Sequence, residues 1–228
     1  MELLDDAVFL RVLDEAVLAH GMLKHPFYEA WNRGELTRCV LRDYAKQYYH
    51  HVKAFPQYVS GVHANCDDLS LRQELLQNLI EEEYGPNNHP CLWRRFAASL
   101  GLDTEDLEQA AASPMTETSV NTFRRLTRLG DPLVGLAALY AYEMQIPEVA
   151  KTKRLALAAH FGIRDEDAVS FFTVHEQADL VHRKVERDAL VKHAKTHEKR
   201  SQVLESAQEA AQALWHFLDG VSKTAAPA

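Results

Sequence analysis

Apolar residues recur along this chain at spacings of three and four, and period-two alternation is almost absent. That pattern predicts amphipathic helices and few strands. Residues 3–20 place Leu3, Leu4, Ala7, Phe9, Leu10, Leu13 and Val17 at helical spacing, with Gly21 as the stop. His25-Pro26 opens a short helix through Trp31, which Gly34 closes. A long helix is expected from about Thr37 to Val62, with Tyr44, Tyr48, His51 and Phe55 on one stripe and a kink at Pro56. Asp67-Asp68 caps a helix over about 69–84, ended by Gly85-Pro86. Shorter helices are expected over 90–100 and 105–112, then one from Pro114 to Leu129. Asp131-Pro132 joins a cap oxygen to a proline at the first helical position, and predicts a helix to about His160 with Pro147 inside it. Segments from Asp165 to about Ala194 and over 198–219 complete the set. The expectation is an all-α fold, one bundle of seven to eight helices over residues 1–222 with a flexible tail at 223–228.

Size and charge narrow the function. A chain of 228 residues fits one large domain that buries its own core without staples. The balance of 25 basic against 33 acidic side chains, net −8, argues against nucleic-acid and anionic-membrane partners. No stretch approaches the ~20 apolar residues of a membrane span. The acidic start MELLDD lacks the basic opening of a secretory signal. The three cysteines, Cys39, Cys66 and Cys91, form no CxxC, which suggests a reducing cytoplasm and no thiolate metal site.

Candidate chemistry concentrates in three places. His175-x3-Asp179-x2-His182 puts three metal-competent groups on one helical stripe, after Phe171 and Phe172 and before Val185 or Glu186. Polar groups buried there without partners are costly, and a metal would satisfy them together. Such triplets also occur on exposed helices, particularly in a chain with 12 histidines. The second place is Glu81-Glu82-Glu83, where Glu82 continues the face of Leu75 and Leu79 and Glu83 is the second choice. His89 would share the face of Glu82 in a continuous helix, but Gly85-Pro86 interrupts it and periodicity leaves His89 undecided. The third is Glu143, one carboxylate after ten nearly uncharged residues, with Pro147 four positions on to bend the helix beside it. A surface glutamate at a kink is the plain alternative. Together these give Glu82, Glu143 and Asp179 with His89, His175 and His182, a balanced set for two divalent metals in a bundle core.

This ordered set resembles that of the haem-oxygenase-like di-metal oxidases of TenA/PqqC-like fold. Within them it is most similar to the 4-aminobenzoate synthases related to the chlamydial protein associating with death domains (CADD). The resemblance runs from His25-Pro26-Phe27-Tyr28 through the E-E-E-Y-G-x-x-x-H-P segment to the last ligand helix. It implies a dimeric seven-helix bundle with an Fe/Fe or Fe/Mn centre, O2 as co-substrate and an external reductant. It also implies 4-aminobenzoate synthesis for folate by cleavage of the enzyme's own tyrosine. Tyr28 matches that tyrosine, Lys153 the internal amino donor, and Tyr44 and Tyr142 the nearby tyrosines of radical transfer. Phe171 stands where another aromatic is expected. On spacing alone Lys153 can share the inward face of Glu143, or snorkel among Lys151 and Arg154. Tyr28 can equally be an ordinary core aromatic. Three other functions stay open at this level: a di-iron oxidase with a separate small substrate, a PqqC-like cofactor-biosynthesis oxidase, and a non-enzymatic interaction module. The basic run Arg183, Lys184, Arg187, Lys192 and Lys195 reads as a solvated face.

Overall fold

The computed structural model describes residues 5–128 and 130–225; Leu3, Leu4, Leu129 and the last three residues of the expected tail lie outside them. The described residues contain helices and no strand. Asp5 caps α1 (Asp6–Leu18), its carboxylate accepting from the Ala7 amide. A single 3-10 turn, Met22–Lys24, leads to α2 (Pro26–Asn32). α3 (Arg38–Asn65) begins behind Thr37, whose hydroxyl accepts from the Val40 amide, and carries Pro56 inside it. α4 (Leu69–Glu83), α5 (His89–Ser99), α6 (Thr104–Glu108) and α7 (Pro114–Arg128) follow. α8 (Pro132–Glu143), α9 (Ile146–His160), α10 (Ser170–His193) and α11 (His197–Ala225) complete the bundle.

The principal departure lies at 132–160, which is two helices and not one bent helix. Pro147 has no amide to give the Glu143 carbonyl, and its ring crowds that position. The helix ends at Glu143 and restarts at Ile146, with Arg183 donating to the Met144 carbonyl at 3.3 Å and the Gln145 side-chain Nε2 to that of Ala141 at 3.0 Å. α10 starts at Ser170, because Asp165 spends its carboxylate on a turn, accepting from the Ala168 amide. α11 continues past the expected end at 219 to Ala225.

One apolar core joins the helices, with Trp31, Trp93, Tyr44, Tyr58, Phe123 and Phe217 among its large members. α8 is buried on almost every side, as a helix apolar all round must be, and it packs on α11, α10 and α7. That placement carries Glu143 into the interior. Gly135 lets α8 approach closely: a Cβ there would stand 2.6 Å from Val62 Cγ2 and 3.2 Å from Thr127 Cα. The basic run on α10 is a paired surface, with Lys184 on Asp188, Arg187 on Asp14 and Lys192 on Asp68.

Candidate metal centre and its tyrosine–lysine cluster

All six expected ligand residues come together, in two groups. Glu82, His89 and His175 offer ligand atoms within 4.8 Å of one another, and so do Glu143, Asp179 and His182. Five of the six residues line one cavity with Tyr48, Tyr142 and Phe171, while His182 closes the side toward α4. The free space in that cavity is about 20 Å³, room for one water-sized molecule.

Local folding explains each position. Gly85 at φ +80° turns the chain after α4, a conformation that favours glycine. Asn88 holds that turn through the Gly85 carbonyl and caps α5 by accepting from the Cys91 amide at 3.0 Å. His89 therefore opens a new helix, and its Nδ1 stands 2.7 Å from Glu82 Oε1. Periodicity could not reach this result, because the turn resets the helical phase. Glu83, the second choice, is exposed. On α10, His175 Nδ1 lies 2.7 Å from the Phe171 carbonyl. A carbonyl only accepts, so Nδ1 carries the proton and Nε2 is bare for a ligand, the arrangement a metal-binding imidazole needs. His182 Nε2 lies 3.2 Å from Glu81 Oε2, and its Nδ1 faces Glu143 Oε1 at 3.6 Å and Asp179 Oδ1 at 3.5 Å. Asn78 donates to Glu143 Oε1 at 2.9 Å and fixes that carboxylate.

Electrostatics identify what the site lacks. Burial, then the neighbouring Glu143, push the Glu82 carboxyl well up. Burial pushes Asp179 up to about 6 and drives His89 and His175 down to about 4. Burial also opposes charge on His182, but Asp179 and Glu143 outweigh it and raise the imidazole to about 11. Burial raises Glu143 in turn, and the neighbouring His182 charge, with the Asn78 hydrogen bond, brings it below its usual value. Glu143 Oε2, Asp179 Oδ2 and His182 Nδ1 still lack a hydrogen-bond partner. A proton on His182 thus occupies the place of a positive charge among carboxylates, with oxygen lone pairs left over. Divalent ions satisfy both needs, and the two nitrogen–oxygen groups fit a di-metal site.

Behind this cavity Tyr28, Tyr44 and Lys153 interlock. His25 caps α2 through Nδ1, which accepts from the Phe27 amide, and its Nε2 reaches Asp219 of α11 at 3.1 Å. That anchorage turns Tyr28 inward, where its hydroxyl lies 3.0 Å from that of Tyr44. Lys153 is inward too, 3% exposed, and donates to the Tyr44 hydroxyl at 2.5 Å. Its Nζ stands 4.6 Å from the Tyr28 ring centre and 4.9 Å from that of Tyr48. Burial lowers the lysine well below its ordinary value and raises all four phenols, which favours the uncharged form of the amine and of the tyrosines. Tyr142 donates to the Tyr48 hydroxyl at 2.7 Å on the cavity wall. Phe171 packs 4.2 Å from the His175 ring and offers no hydroxyl.

Four residues of this site escaped selection from the sequence. Tyr48 stacks on Tyr44 at 5.4 Å and joins the Tyr28 cluster to the cavity; its place one turn after Tyr44 was the available signal. Asn78 and Glu81 hold ligands and look like surface residues in sequence. Glu186, one turn after His182, is 2% exposed.

A family described as iron-containing redox enzymes matches residues 42–215. The 4-aminobenzoate synthase of Nitrosomonas europaea is 45% identical over 93% of this chain and 90% of its own length. That of Chlamydia pneumoniae is 42% identical over 96% and 97%. The pyrroloquinoline-quinone synthase of Ectopseudomonas mendocina is a distant 24% identical over 92% of this chain and 86% of its own. A Shewanella denitrificans domain with a haem-oxygenase-like fold superposes with TM-score 0.81 at 20% identity, covering 98% of this chain and 94% of that one. The cluster geometry and these likenesses agree, and this chain belongs to the haem-oxygenase-like family of iron-containing redox enzymes.

Proposed function

We propose that this chain makes 4-aminobenzoate in an O2-dependent reaction, drawing the ring from its own Tyr28 and the nitrogen from Lys153. The relatives named 4-aminobenzoate synthase support the product. The observation that carries the self-derived substrate is a packed interior. Tyr28 and the Lys153 amine already lie together, both buried in the interior beside the candidate metal cavity.

Glu82, His89 and His175 would hold one metal ion, and Glu143, Asp179 and His182 the other, as an Fe/Fe or Fe/Mn pair. When bound, the pair would supply the oxidising power of O2, with electrons from an external reductant. The protein's own part is positional. Tyr48 and Tyr44 stack between the cavity and Tyr28, giving an electron a route of touching rings. Tyr44 holds the hydroxyl of Tyr28 and the amine of Lys153 at once, and can pass a proton between them. Lys153 keeps its lone pair because burial disfavours its charge, as a nucleophile requires. Tyrosine already has the para-substituted ring of the product; nitrogen replaces the phenol oxygen as the ring C–O and Lys153 Cε–Nζ bonds break and the oxygen leaves as water, and the Cα–Cβ bond breaks as O2 oxidises Cβ to the carboxylate. A chain consumed in this way turns over once.

The proposal extends to a homodimer in the cytoplasm without nucleic-acid or membrane partners. Three unpaired cysteines and the net charge of −8 support the compartment and the missing polyanion. No helix of the described residues is long and apolar enough to cross a membrane. Tyr28→Phe should bind the same metals and yield no 4-aminobenzoate, while wild-type protein yields at most one per chain. Wild-type yield from Tyr28→Phe refutes the self-derived substrate.

A further inference from the structure

We infer that Glu186 is a further metal ligand, adding a third carboxylate to the group of Glu143, Asp179 and His182. This rests on the di-metal reading and extends it to a residue outside both groups of three.

Glu186 continues the α10 stripe of His175, Asp179 and His182 at the next spacing of four, so it faces the same interior. It is 2% exposed, and both of its carboxylate oxygens are buried with no hydrogen-bond partner. Its carboxyl lies beside that of Glu143 and close to that of Asp179. The nearby donors are engaged elsewhere: Asn78 donates to Glu143, and Arg187, the next residue, reaches outward to Asp14. Three buried carboxyl groups this close, one of them with neither oxygen hydrogen-bonded, form an arrangement that a bound cation resolves.

The donor arithmetic agrees. Glu143 Oε2, Asp179 Oδ2, His182 Nδ1 and both Glu186 oxygens are unpartnered buried atoms of this side, as is Asn78 Oδ1. Three carboxylates with one imidazole form a hard, oxygen-rich set suited to Mn²⁺ or Fe²⁺. Four carboxylates across both groups also balance two divalent ions. A second cavity, between α4 and α10, is lined by Asn78, Glu81, His182 and Glu186. It gives an ion an approach from the α4–α10 seam, and Glu186 stands on it.

The test is Mn²⁺ uptake by metal-free protein, counted from the spectrum of the free aqueous ion by electron paramagnetic resonance. Wild-type chain should take up two ions. Glu186→Gln, nearly isosteric, should bind one ion with unchanged affinity and the other at least tenfold more weakly. Its metal-free melting temperature should match that of wild type, since a nearly isosteric amide replaces a carboxyl group that has no hydrogen-bond partner. Two ions bound by Glu186→Gln with wild-type affinities overturn this assignment alone. Equal weakening of both ions together with a lowered metal-free melting temperature also overturns it, in favour of a merely structural residue. Fewer than two ions in wild type overturn the di-metal reading itself.

Discussion

Replacing Lys153 with methionine should change how stability depends on pH. The side chain is 3% exposed and its amine donates only to the Tyr44 hydroxyl, so burial sets its proton affinity, well below the usual lysine range. The unfolded chain keeps the lysine proton to about pH 10.4. Between the folded value and that limit the unfolded state binds one more proton than the folded state at this position. Lys153 therefore makes stability rise with pH, by about 1.4 kcal/mol per unit. His182 acts in the opposite sense. Its folded value of about 11 lies above its unfolded one, so its contribution is complete in acid and fades as pH climbs toward 11. The absolute slope mixes the two, and the difference between wild type and Lys153→Met isolates the lysine. Urea unfolding of both metal-free proteins at pH 8 and pH 9 should show wild type gaining on the variant over that step, by up to about 1.4 kcal/mol. Parallel slopes would mean that the amine is charged in the folded protein, and a charged amine cannot be the nitrogen nucleophile.

Gly135→Ala should destabilise the fold by about 1–3 kcal/mol in urea unfolding, because the added methyl meets Val62 and the Thr127 backbone and neither can move freely. An unchanged midpoint would show that α8 and α7 have slack at this crossing. Metal affinity should rise with pH between 6 and 8, by about tenfold per unit for each proton released, since the ion at the Glu143 group displaces the proton that His182 holds to about pH 11. Calorimetric titration in buffers of different ionisation heat counts that proton; affinity independent of pH would remove His182 from the ligand set.

The legibility of this protein from sequence follows the reach of local physics. Helical spacing found the buried face of α10, and one carboxylate in an apolar run found Glu143, because both signals lie within a single helix. His89 needed the Gly85 turn and the Asn88 cap, which restart the helical phase in a way periodicity does not encode. Tyr28 and Lys153 are ordinary as sequence features; only packing of α2, α3 and α9 around Tyr44 brings them together, and the family likeness pointed to them first. Asn78 and Glu81 acquire their roles from partners on α8 and α10, more than sixty residues away in the chain. The break after Glu143 shows a proline effect of the expected origin and greater extent, ending the helix where a bend was expected.

The most direct test follows the ring of tyrosine. Protein grown with ring-labelled ¹³C-tyrosine, loaded with metal, reduced and exposed to O2 alongside unlabelled small-molecule extract, should release 4-aminobenzoate heavier by six mass units. The peptide containing Tyr28 should lose its side-chain ring in equal amount. Unlabelled product, with the Tyr28 peptide intact, would show that the ring comes from outside the chain.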